Sequence, residues 1–132
     1  SGVGVPVCVG GKMSPRMREL VLFGLEAHEH TIAALRAGVI AASVARGYKK
    51  LFIDRGYERN FLYGPCHGLG MIEVEPPWME EISEYPLAEN MTFQVDTFFY
   101  DDDFGLRWEN GVRVCSEGLE RLSSRHARIV QL

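Results

Sequence analysis

Cysteine is scarce in this chain and never closely spaced. Cys8, Cys66 and Cys115 are odd in number and far apart, which excludes a disulfide framework and a paired-cysteine zinc site and points to a reducing, cytoplasmic setting. Long apolar runs are missing too. Charges interrupt every stretch well before the ~20 residues that cross a bilayer, and no basic segment followed by an apolar run opens the chain, so a soluble protein is expected. There is no block of like charge. The 14 Lys and Arg and 18 Asp and Glu residues are scattered and leave a formal net charge of −4, which gives no footprint for nucleic acid or an anionic membrane. Internal repeats, low-complexity tracts and linkers are likewise absent.

What is present is enough apolar material for one core. At 132 residues with 46% hydrophobic content, a single domain over 1–132 is expected. Val3, Val5, Val7 and Val9 alternate with small residues through Ser1 to Gly11 and predict a strand running into a Gly-Gly turn. The chain opens abruptly inside this β pattern, which suggests that something upstream is missing. Ser14 before Pro15 is a helix start, because the hydroxyl can cap a free N–H and proline occupies a position that needs none. That helix is expected to reach about Gly38, with Met17, Leu20, Val21, Leu25, Ile32 and Leu35 on one stripe and His28 among them. A second is expected from about Ile40 to Arg55, carrying Val44, Tyr48, Leu51 and Phe52 on one side and stopped by Gly56. One covered sheet would satisfy both helices.

After Tyr57 the pattern changes to short aromatic and β-branched runs between Gly, Pro and Asp clusters, which predicts strands. In Met91 to Tyr100, Phe93, Val95 and Phe99 share one face while Gln94, Asp96 and Phe98 share the other. Asp101-Asp102-Asp103 turns the chain, Leu106 to Val114 returns as a partner strand, and apolar groups at Leu119 to Leu122 and Ile129 to Leu132 complete the sequence.

Several side chains could carry chemistry. His67 lies in Gly64-Pro65-Cys66-His67-Gly68-Leu69-Gly70, where glycines permit close backbone approach; read alone, it is as well a structural histidine as a ligand. Arg107 and Glu109 are two apart on a strand and share a face. If the two strands pair antiparallel and the histidine loop folds over them, His67, Asp96 and Glu109 converge as ligands suited to manganese, iron, cobalt or zinc. The plain alternative is a salt bridge between Arg107 and either carboxylate. Of His28 and His30, at most one can face the core, and His126 beside Arg125 and Arg128 reads as a solvated tail residue. Trp78 either lines a pocket or lids the core. Cys66 has no activating base and reads as a small buried residue.

The order His67-Gly68-Leu69-Gly70, Glu75-Pro76-Pro77, Leu87-Ala88-Glu89-Asn90-Met91-Thr92-Phe93 leading to Asp96, Arg107-Trp108-Glu109-Asn110 and Glu117-Gly118 resembles the C-terminal half of the pita-bread hydrolases: Xaa-Pro dipeptidase, aminopeptidase P and creatinase. The resemblance implies an α+β fold, a curved and mostly antiparallel sheet with two helices on its outer face. It implies hydrolysis of a peptide or other C–N bond in a small peptide or small-molecule substrate, with His67 as a metal-binding histidine, Glu109 as a bridging carboxylate and Arg107 beside the metals. Asp96 stands where the family has a glutamate one methylene longer. Val74 stands where peptidases of the family have a second histidine. Counting back from the Gly10-Gly11-Lys12 turn puts Gly2 where the family has a ligand aspartate, and a further aspartate would lie upstream of Ser1. The expected cofactor is therefore a divalent metal (Mn, Co, Zn or Fe) in the family and at most one weakly held ion, or none, in this chain, which alone would be inactive. Two rivals remain open: a metal-independent, creatinase-like hydrolase with His67 as general base oriented by Glu109, and a non-catalytic binding or oligomerisation module. An unpaired inner face bearing Asp96, Phe98, Arg107 and Glu109 would favour a homodimer.

Overall fold

The Ser14 hydroxyl accepts a hydrogen bond from Met17 N at 3.1 Å and opens helix α1, Pro15–Ala34. The computed structural model describes residues 2–123 and 129–132, so His126 and its neighbouring arginines lie outside the described residues. Helix α1 stops short of the expected Gly38 because the next backbone donors bond elsewhere: Ala37 N to Cys115 O at 3.0 Å and Gly38 N to Leu87 O at 2.8 Å. Helix α2 spans Ala41–Asp54, and Gly56 ends it with φ of 76°, a conformation that suits glycine.

The sheet has five strands, β2 (Cys66–Gly68), β3 (Glu75–Met79), β4 (Thr92–Tyr100), β5 (Gly105–Cys115) and β6 (Gly118–Arg121), in the order β3-β2-β4-β5-β6, every pair antiparallel. This is the α+β architecture expected from the sequence. The opening strand is shorter than the alternating valines suggest. Only Val7–Cys8, named β1, is a strand, and it pairs in parallel with β7, Val130–Gln131. Pro6 has no N–H to donate and interrupts the ladder, and upstream of it Gly4 makes a single bridge to Glu109.

Both helices cover one face of the sheet. Leu20, Phe23 and Ala27 of α1 and Tyr48 and Phe52 of α2 pack with Phe99, Leu106 and Trp108. Phe52 meets Phe23 and Phe99 edge-on, with centroids 4.8 and 5.7 Å apart. A second cluster joins Ile32, Val44 and Leu87 to Phe93, Val95, Val112 and Val114. Met17 and Leu25 of the expected stripe are only half-buried, His28 is buried as that stripe predicts, and Ala27 and Thr31 are buried beside it. The face bearing Asp96 is not bare. Gln94 is 1% exposed and donates to Gly2 O at 2.7 Å, so the chain's own first residues lie across it.

Candidate active site

His67 is central to β2, paired with Trp78 on one side and Gln94 on the other. The β2–β3 register shifts between His67 and Gly68. A Cβ at Gly68 would lie 2.4 Å from the Pro76 carbonyl oxygen, so only glycine permits the approach that aims the histidine. His67 Nδ1 is 2.9 Å from Gly68 O. A carbonyl only accepts, so Nδ1 carries the proton, and Nε2 is left as the acceptor.

Asp96 and Glu109 lie directly opposite each other on β4 and β5. Arg107, two residues before Glu109, reaches both. Its Nε donates to Asp96 Oδ1 at 2.9 Å and its Nη2 to Asp96 Oδ2 at 2.6 Å, while Nη2 is 3.1 Å from Glu109 Oε1. Tyr63 OH donates to Asp96 Oδ2 at 2.5 Å. The Arg107 guanidinium also lies over the Phe98 ring, 5.5 Å from its centroid. The bond to Asp96 pushes the Arg107 pKa above the ordinary arginine range. Burial, then the Asp96 bond, pushes the Tyr63 phenol up. Burial and the Asp96 charge raise the Glu109 carboxyl, with Arg107 opposing.

Tyr63, His67, Val74, Trp78, Asp96 and Arg107 line a cleft of about 270 Å³. Glu109 joins this group through Arg107. Trp78 is 45% exposed and forms a wall of the cleft, which decides between its two expected places. Cys66 is buried, and burial raises its thiol well above the ordinary value, so it stays protonated and inert. His30 is exposed. Tyr63 and Gln94 escaped the sequence reading. The only signal for Tyr63 was an aromatic hydroxyl just before the Gly-Pro-Cys-His run, and Gln94 gave none beyond sharing a strand face with Asp96.

The model of metallopeptidase family M24 matches residues 3–116. The chain belongs to metallopeptidase family M24. It is 26% identical to an Xaa-Pro dipeptidase of Pyrococcus furiosus over 116 residues, 87% of this chain and 33% of the relative. It is 29% identical to an Xaa-Pro dipeptidase of Lactobacillus delbrueckii over 101 residues, 76% of this chain and 27% of the relative. Among solved structures, an X-Pro aminopeptidase from Thermotoga maritima superposes with a TM-score of 0.86 at 28% identity, over 92% of this chain and 35% of that one. The chain thus spans about a third of the length of these M24 relatives. It is an Xaa-Pro peptidase-like part of an M24 domain, and its sheet and two helices are the pita-bread arrangement of those neighbours.

M24 peptidases use divalent metals, and the residues present here fit such an ion poorly. Both Asp96 oxygens already accept bonds. Position 2 is a glycine whose Cβ would lie 3.7 Å from each Glu109 carboxylate oxygen, so the place facing Glu109 offers no ligand. Val74 at the cleft can neither ligate nor titrate. Among the described residues, no three His, Cys, Asp or Glu side chains form a group able to hold a metal ion. Nor is any described helix long and apolar enough to cross a membrane.

Proposed function

We propose that residues 1–132 form the C-terminal half of a catalytic domain that hydrolyses the C–N bond of a short peptide or small amide. The observation that carries this reading is His67, buried at 7% exposure and lining the cleft, its Nδ1 held by the Gly68 carbonyl and its Nε2 without a hydrogen-bond partner among the described residues. Gly68, rather than the expected Glu109, orients the ring. In the proposed step a water oxygen adds to the substrate carbonyl carbon while Nε2 takes its proton. The C–N bond then breaks, and that proton passes to the departing nitrogen. Arg107, held beside the cleft by Asp96, stabilises the charge that develops on the carbonyl oxygen. Tyr63, Val74 and Trp78 give the substrate apolar walls. The Xaa-Pro dipeptidases among the relatives support dipeptides as the class to test first.

His67→Gln should lower kcat on dipeptides by about 10²–10⁴-fold, with KM little changed, in the full protein that carries this chain. An unchanged kcat removes His67 from the chemistry. No turnover by the wild type, with peptide still bound in the cleft, would support the binding-module reading instead. We further propose a second copy of the chain as partner, supported by the exposed apolar loop of Met71, Ile72 and Val74, and a cytoplasmic location, supported by three free cysteines.

A further inference from the structure

Two carboxylates directly opposite each other on neighbouring strands repel unless a cation stands between them. Asp96 and Glu109 are such a pair, 1% and 8% exposed, and in a buried setting the repulsion is weakly screened. We infer that the chain supplies this cation itself: the Arg107 guanidinium is the resident positive charge of the site, and the domain does not take up a divalent ion there. The fork of Nε and Nη2 matches both Asp96 oxygens, and the same Nη2 reaches Glu109.

Four features make the guanidinium difficult to displace. Arginine cannot shed its proton in the working pH range, so the guanidinium keeps its charge. Phe98, the cross-strand partner of Arg107, holds the flat face of the group. Tyr63 adds a second donor to Asp96 Oδ2, so lone pairs that a metal would need are already engaged. Gly2, carrying no side chain, adds no third carboxylate to raise the pull on a dication. Two negative groups and one fixed positive group leave a single net charge, a weak attraction for an ion that must first lose water. None of this depends on which substrate the cleft takes.

A Mn²⁺ titration of the wild-type protein tests the inference without any variant. The six-line electron paramagnetic resonance spectrum of free Mn²⁺ should keep its full intensity, and the Arg107 Nε–H resonance in the NMR spectrum should stay unbroadened. Stoichiometric loss of the Mn²⁺ signal, abolished by His67→Ala, would overturn the inference and establish His67, Asp96 and Glu109 as a ligand set. In a folded Arg107→Ala variant the freed carboxylates should bind Mn²⁺, and Asp96→Asn added to it should abolish that binding. A folded Arg107→Ala variant that binds no Mn²⁺ would also overturn it. If removing Arg107 prevents folding, the two wild-type spectra decide the question alone.

Discussion

His28 shows how a single residue can be silent in the site and still set its geometry. It is 1% exposed between α1 and the sheet, with Nε2 2.8 Å from Asn110 Oδ1 and Nδ1 3.1 Å from Thr97 Oγ1. Asn110 Nδ2 donates to Ser123 Oγ at 2.9 Å, which fixes its oxygen toward the ring. Nε2 therefore donates, and in the neutral ring that burial favours Nδ1 accepts from the Thr97 hydroxyl. Thr97 and Asn110 are the residues next to Asp96 and Glu109, so the pair that holds His28 on one face fixes the carboxylates on the other. Burial lowers the His28 pKa, outweighing the Asn110 bond and the charges of Glu29 and Asp96, with Arg121 adding to the lowering. A depressed folded-state value means that the unfolded chain binds the proton first. Stability contributed by neutral His28 is present above about pH 6.5 and is lost as pH falls toward the folded-state value. Denaturant unfolding of wild type and His28→Gln should show a steeper loss in the wild type below about pH 6.5, by up to about 1.4 kcal/mol per pH unit. Parallel curves would show that His28 does not titrate with unfolding. A core-facing histidine was legible from the helix stripe; its partners, 69 and 82 residues away, were not.

At the scale of elements, β4 is the piece on which the rest is built. Its alternation puts Phe93, Val95 and Phe99 under the helices and Asp96 toward the cleft, and this was legible because the period of a strand needs no tertiary information. The helices were legible for the same reason, with Ser14 and Gly56 at their ends. The N-terminal strand was not, because a run of valines states a preference and Pro6 removes a donor that the preference requires. The Arg107–Asp96 pair lay between these cases. Strand spacing placed the residues on one face, but whether the guanidinium or an ion would sit between the carboxylates depends on side-chain reach. Phe99 is fully buried and touches Phe23 and Phe52 edge-on. Phe99→Ala should cost about 3–5 kcal/mol in denaturant unfolding, and since both helices rest on this ring, their helical signal should be lost in one transition with the sheet. A loss under 1 kcal/mol, roughly that of a surface change, would mean that the helices are held by Leu106, Trp108 and the Leu87 and Val112 cluster without this ring.

For the whole molecule the open question is what meets the cleft side. Tyr63 covers Asp96 and Gly2 covers Gln94, yet Met71 is 100% and Ile72 62% exposed in the loop that leads to Val74 of the cleft, and the chain spans only about a third of its relatives. A second copy placed there would bury this loop, so sedimentation at micromolar concentration should give a dimer that Met71→Glu together with Ile72→Glu returns to monomer. A wild-type monomer rules the second copy out.

The parallel pairing of β1 with β7 has a mechanical consequence. Val7 and Cys8 lie beside Val130 and Gln131 and run the same way, with Leu132 N also bonded to Cys8 O at 2.9 Å. A pull toward the two chain ends would draw these strands in opposite directions along their length. Every bond between them would take the load at once, as in a lap joint, instead of parting one after another as in a zipper.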